Sequence, residues 1–192
     1  NRITHPRLVT QSVKERLDVM PAIVITGARQ AGKSTLVEEL VGGDRKFFTL
    51  DDLDTLDIAR RDPEALVGGS ARITIDEVQR EPSILQAVKR AIDRRKRPGQ
   101  FLLTGSANLL LMGRVSESLA GRASYLTLWP MTRKERYGEG KCGLWEELLT
   151  ADEKDWIDLL SRDASKRDDW RKLARKGGFP TPALELKNDR ER

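Results

Sequence analysis

AIVITGARQAGKSTLVEELV, residues 22 to 41, consists of two patterns joined by a glycine-rich turn. Ala22 to Thr26 is a β-branched run of strand type, and Lys33 to Val41 has helical spacing closed by Gly42-Gly43. Between them Gly27-Ala28-Arg29-Gln30-Ala31-Gly32-Lys33-Ser34 fits G-x-x-x-x-G-K-[ST] at every fixed position, with a strand before it and a helix after it. Gly27 permits the turn out of the strand, and Gly32 lets backbone come close to a phosphate. The amides of residues 28 to 34 then converge as an anion nest. The helix that follows turns the positive end of its dipole to the same point. Lys33 adds a mobile charge for β- and γ-phosphates, and the Ser34 hydroxyl suits Mg²⁺. The expected binding set is Gly27, Ala28, Arg29, Gln30, Ala31, Gly32, Lys33, Ser34 and Thr35, with Ser34 also a metal ligand.

The same alternation continues along the chain. Leu8 to Leu17 gives a helix that ends before Pro21. Strands are expected at Phe47 to Leu50, Arg72 to Asp76, Phe101 to Thr104 and Tyr125 to Trp129, and helices at Asp54 to Arg61, Pro63 to Val67, Ser83 to Arg95 and Leu109 to Leu119. Strands alternating with helices predict βαβ units: an α/β fold with a mostly parallel sheet covered on both faces. From Thr132 the pattern changes. Thr132-Arg133-Lys134-Glu135 reads as a capping box, and short amphipathic helices follow at Leu144 to Leu149, Trp156 to Leu160 and Trp170 to Ala174. The expected division is a nucleotide domain over 1–135 and a small helical appendage over 136–192. The start at Asn1 and the charged end, Lys187 to Arg192, suggest a piece of a longer protein.

Bulk composition sets the limits. The chain has 192 residues, 38% hydrophobic and 34% charged, with the apolar residues in blocks, so whole-chain disorder does not fit. Thirty-five basic against 30 acidic residues give a formal charge of +5, which admits DNA without arguing for it. One cysteine, Cys142, makes no internal disulfide, which fits a cytoplasmic location. No apolar run reaches the roughly 18 residues of a membrane span.

Hydrolysis needs an acid near the metal and a means of activating water. Asp76-Glu77, at the end of the Ile73-Thr74-Ile75 strand, supplies both. Asp76 would hold the Mg²⁺ shell through water, and Glu77 would orient or deprotonate the attacking water. The competing reading is a helix N-cap followed by a first-turn acid. Thr74 interrupts the apolar run. Thr104-Gly105-Ser106-Ala107-Asn108 ends the next strand with polar groups that could sense the γ-phosphate: Ser106 first, then Thr104 and Asn108; ordinary turn chemistry is the alternative. Arg122, before the last strand, is the candidate arginine finger for a neighbouring subunit, with Arg114 its rival. Arg90, Arg94, Arg95, Lys96 and Arg97 form the densest basic cluster, read as a solvated helix C-terminus, with contact to a nucleic-acid phosphate backbone as the alternative.

With those residues in place, the chain resembles a prokaryotic family of AAA-like ATPases. The likeness runs through PAIVITGARQAGKSTLVEEL, FFTLDD, DPEAL, ITIDEVQREPSILQAVKRAID, FLLTGSANLLLM, SLAGRASYLTLWPMT and GGFPTPAL. It covers most of residues 7 to 137 and an island at 177 to 184. The resemblance implies a three-layer P-loop NTPase with sheet order 5-1-4-3-2, ATP with Mg²⁺, and functional weight on Lys33, Ser34, Asp76, Glu77, Ser106 and Arg122. Members of this family usually continue into a C-terminal domain likened to restriction endonucleases, and this chain ends before one could form.

The leading expectation is an ATPase whose turnover drives a conformational change, with a protein partner or a second copy as its effector. The alternative is a nucleotide-dependent switch that docks DNA or a protein and hydrolyses little. A small-molecule kinase would need no water-activating glutamate, and a GTPase would carry N-K-x-D and D-x-x-G signals that this sequence lacks.

Overall fold

The computed structural model describes residues 5–40, 42–106, 119–138, 144–162 and 170–185. The chain divides into two compact units, residues 9–130 and residues 1–8 with 131–192.

The first unit is built on five strands: β1 (Ala22–Gly27), β2 (Lys46–Thr49), β3 (Ile73–Asp76), β4 (Phe101–Thr104) and β5 (Ala123–Leu128). They form one parallel sheet in the order β2-β3-β4-β1-β5, which is 5-1-4-3-2 read from the other edge. The three central strands are wholly buried along their length. Burial on both faces is why their sequences are near-continuous apolar runs rather than alternating ones.

Strand alternation divides the core in two. Ala22, Val24, Ile73, Ile75, Phe101 and Leu103 face one layer, formed by α3 (Leu53–Arg61), α4 (Pro63–Gly68) and α5 (Ile84–Arg94). Ile23, Ile25 and Leu102 face the other, with Val13 from α1 (Val9–Leu17) and Leu36 and Val37 from α2, which runs as an α-turn over Lys33–Thr35 and a π-turn over Leu36–Leu40. In α5 the residues Ile84, Leu85, Val88 and Ile92 share one buried stripe at helical spacing. Burial of each large side chain there is worth roughly 1.5–3 kcal/mol. Asp52 and Asp62 cap α3 and α4 by accepting from the amides of Thr55 and Ala65.

Thr74 has a physical explanation. It is buried in β3 and accepts a hydrogen bond from Arg45 Nε at 3.1 Å. The same guanidinium donates to the carbonyls of Gly99 (2.7 Å) and Ile73 (2.8 Å), tying the starts of β2, β3 and β4 together. Burial pulls the Arg45 guanidinium down to about 10.

The second unit contains α6 (Arg133–Arg136), α7 (Leu144–Thr150), α8 (Trp156–Arg162) and α9 (Trp170–Lys176). Its anchor is Glu135, which closes the capping box expected from sequence. The buried carboxylate also accepts from Arg7 Nε at 3.1 Å and from the Leu8 amide at 2.7 Å. That is why residues 1–8 group with this unit although their sequence precedes the sheet. The amide of Met131 donates to the Gly178 carbonyl at 2.6 Å, within the GGFPTPAL segment. No helix among the described residues is long and apolar enough to cross a membrane.

Candidate functional site

The site lies at the carboxyl ends of β1, β3 and β4, where ligands bind in open parallel sheets. β1 ends at Gly27, whose φ of 149° few other residues adopt, and a Cβ there would run into the Leu128 carbonyl oxygen of the neighbouring strand. Two more left-handed residues shape the loop, Gln30 (φ 63°) and Gly32 (φ 93°). Gly32 is thus forced by backbone geometry, while Gln30 is a strained non-glycine position of the kind that gathers at functional sites. Ala28, Arg29 and Gln30 are exposed at the rim, and Ala31 is buried beneath the loop. Thr35 is half-buried in the helical turn that follows.

Lys33 is 5% exposed, and its ammonium donates to the carbonyls of Gly27 (3.2 Å) and Ala28 (3.0 Å). Its charge is therefore folded back across the loop that it follows.

The acidic strand end meets this loop directly. Ser34 Oγ donates to Asp76 Oδ2 at 2.7 Å, although the two residues are 42 apart in sequence. The other oxygen of Asp76 accepts from the Thr104 hydroxyl. Asp76 is 4% exposed. Asp76 ends the strand with both oxygens engaged by Ser34 and Thr104, and the residue at the N-terminus of the following 3-10 turn is Glu77. Glu77 adopts φ 61°, ψ 42°, and its amide donates to Thr104 Oγ1 at 3.1 Å. Thr104 thus fixes both acids, by accepting from one backbone and donating to the other side chain.

Ser106 enters through its main chain, with its amide donating to Gln79 Oε1 at 3.1 Å. Gln79 Nε2 in turn donates to Glu77 Oε2. Sequence reasoning missed Gln79 altogether. The available signal was a polar residue two positions beyond Glu77, on a single 3-10 turn (Val78–Arg80) short enough to bend it back. Asn108 and Arg114 lie outside the described residues, as does the helix expected from Leu109 except for Leu119 itself.

Arg122 stands apart from this cluster. Its carbonyl accepts from the Ala22 amide, so its backbone lies at the start of β1. Five residues of strand, roughly 16 Å, separate that point from Gly27. Its guanidinium grips Asp93 through Nε (2.6 Å) and Nη2 (3.0 Å). The pairing pulls the Asp93 carboxyl below its ordinary value and pushes Arg122 up. Of the basic cluster, Arg90 and Arg94 both pair with Glu64.

The oxygen donors suit a hard cation. Ser34 Oγ and Asp76 Oδ2 converge at the loop. Among the described residues no group of three or more His, Cys, Asp or Glu could hold a metal alone. A magnesium ion here would need phosphate oxygens and water to complete its shell, as is usual for that ion.

A family model described as an AAA domain matches residues 20–137. Uncharacterized proteins of Mycobacterium bovis and Mycobacterium tuberculosis are each 39% identical over 135 residues, which is 69% of this chain and 30% of theirs. The chain thus spans less than a third of the length of the curated relatives it matches. Among solved structures, a Walker-type ATPase of Pyrococcus abyssi has a TM-score of 0.48 at 14% identity, covering 84% of this chain and 66% of its own. A signal-transduction ATPase of Pyrococcus horikoshii with a tetratricopeptide repeat sensor has a TM-score of 0.43 at 14% identity, covering 88% of this chain and 32% of its own.

Proposed function

The chain belongs to the AAA domain family, and from that membership and the meeting of Ser34 with Asp76 we propose that it binds ATP with Mg²⁺ and hydrolyses it to ADP and phosphate. The observation that carries this reading is the 2.7 Å hydrogen bond between Ser34 Oγ and Asp76 Oδ2. It joins a phosphate-binding turn to an acidic strand end, the arrangement that phosphoryl-transfer sites of this class use to hold a nucleotide and its metal.

The amides of residues 28 to 34 bind the polyphosphate. Phosphate oxygens replace the Gly27 and Ala28 carbonyls as partners of the Lys33 ammonium. Ser34 and Asp76 would hold the metal, Ser34 directly and Asp76 through water, with Thr104 fixing the second Asp76 oxygen. The metal, when bound, neutralises charge on the β- and γ-phosphates. Glu77 accepts a proton from water as its oxygen bonds to the γ-phosphorus. The bond between that phosphorus and the β–γ bridging oxygen breaks, and ADP leaves with the electron pair. Ser106 lies at the end of β4, where its loop can respond to the γ-phosphate. Turnover would bias a conformational change that a protein partner or a second copy reads.

Glu77→Gln tests the reading. It keeps the shape of the side chain and removes the base, so Mg-ATP binding persists while turnover falls. Wild-type turnover in that variant would remove Glu77 from the mechanism.

A second reading is favoured by Arg122. Its bidentate pair with Asp93 and its place at the opposite end of the strands keep it out of its own site. A chain without a finger would behave as a nucleotide-gated binding switch that hydrolyses little. A protein whose turnover stays independent of its concentration and remains slow would support the switch. Turnover that rises with concentration and is lost in Arg122→Ala would support a finger donated to a neighbouring copy, an effect on the order of 10³-fold or more.

A further inference from the structure

Gln79 is half-buried and lies between the two segments that the proposed chemistry must coordinate. Its Oε1 accepts the Ser106 amide at 3.1 Å, and its Nε2 donates to Glu77 Oε2. Chemistry fixes this orientation of the side-chain amide. The Ser106 amide can only donate, so it must face the oxygen, which leaves the NH₂ to face the carboxylate. Reversing the amide would set donor against donor at one end and acceptor against acceptor at the other.

The bridge has a consequence for Glu77. Its backbone is already held in a left-handed conformation by the Thr104 hydroxyl. Gln79 sets where the carboxylate sits at the end of that backbone, and the reference point is the main chain just beyond β4. That loop is itself anchored at the phosphate-binding strand, because the Gly105 amide donates to the Ile25 carbonyl at 3.0 Å. A displacement at Ser106 therefore moves the N–H that holds the Gln79 oxygen, and through Gln79 the Glu77 carboxylate.

We propose that Gln79 is a positioning residue that places the Glu77 carboxylate in register with the end of β4, so that water activation follows the state of the Ser106 loop. This rests on the reading of Glu77 as the acid that handles water. Gln79 touches neither nucleotide nor water in this scheme and acts through Glu77.

The test uses Gln79→Met, which removes both hydrogen-bonding groups, and Gln79→Glu, which keeps an acceptor for Ser106 but loses the donor to Glu77. Each is made alone and combined with Glu77→Gln, in the full chain. Three quantities are measured: single-turnover hydrolysis of Mg-ATP, affinity for a non-hydrolysable ATP analogue, and amide exchange at Ser106 in the nucleotide-free protein. Both Gln79 variants should hydrolyse about 10- to 100-fold more slowly, the scale of a misplaced catalytic group. Analogue affinity of Gln79→Met should stay within about threefold, since ground-state contacts are untouched. Exchange at Ser106 should accelerate in Gln79→Met and stay protected in Gln79→Glu. In the double variants the rate should match that of Glu77→Gln alone, because two residues acting as one unit are not additive.

Wild-type turnover in Gln79→Met overturns the proposal, and so does a double variant whose losses multiply. So does a parallel loss of affinity in Gln79→Met, which would mark a structural role. If Glu77→Gln itself turns over at the wild-type rate, the reading of Glu77 falls and this proposal with it. If Glu77→Gln is inactive while Gln79→Met is fully active, only the bridge falls.

Discussion

Replacing Thr104 with valine removes one hydroxyl and leaves the shape of the side chain unchanged. Thr104 is fully buried, and its oxygen serves two partners. It accepts from the Glu77 amide at 3.1 Å and donates to Asp76 Oδ1. Valine offers a methyl group to both. Stranding a buried donor costs about 1–3 kcal/mol, and losing a hydrogen bond to a charged group costs about 1.5–3 kcal/mol. The two losses share one site and do not add in full, so the expected destabilisation is about 2–4 kcal/mol. A chain of this size shifts by about 2–4 °C per kcal/mol, which predicts a fall in melting temperature of roughly 4–16 °C. Turnover should fall further than stability requires, because the left-handed Glu77 backbone loses its restraint. Scanning calorimetry and a turnover assay at a temperature where both proteins are folded separate the two effects. Thr104→Ser keeps the hydroxyl and should recover most of each. A valine variant that melts and turns over like the parent would refute the reasoning, as would a serine variant as impaired as the valine.

Other expectations follow from single features. Gly27→Ala should lower both folded yield and nucleotide affinity, because the added methyl group meets the Leu128 carbonyl at a φ of 149°; expression with a melting curve checks it. Glu135→Ala should destabilise the second unit by about 3–5 kcal/mol by leaving the buried Arg7 guanidinium without its carboxylate, measured by denaturant unfolding. The Asp93 carboxyl is held below its ordinary value by Arg122, so the pair stabilises the fold above the unfolded value near 3.8, and that contribution is lost as pH falls through the lower folded value. The difference in melting temperature between the parent and Asp93→Asn should therefore be present at neutral pH, shrink below pH 4 and weaken in high salt.

The strands and the glycine-rich loop were legible in the sequence because both rest on local signals, whereas the strand order came only with the family resemblance. A β-branched run, two glycines and a following lysine constrain backbone within a few residues of each other, and the turn from Gly27 to Ser34 follows the strand as those signals predict. Strand ends moved by a residue or two, as at β5, which begins at Ala123 rather than Tyr125. The long-range polar contacts were illegible. Nothing near Thr74 announces that Arg45 will reach across three strand starts, and nothing near Ser106 announces that its main chain rather than its hydroxyl meets Gln79. The sequence offers Thr104 as a phosphate sensor or a turn residue, and only the fold shows its hydroxyl spanning Asp76 and Glu77. Arg122 was read as free to reach outward, and only the fold brings it against Asp93, 29 residues away.

The most direct measurement is a calorimetric titration of ATP into the chain, with and without Mg²⁺, beside Lys33→Ala and Asp76→Asn. Binding should be saturable and tighten with Mg²⁺ in the parent, be lost in Lys33→Ala, and no longer respond to Mg²⁺ in Asp76→Asn. Heat of equal size in all three proteins, indifferent to the metal, would contradict this expectation.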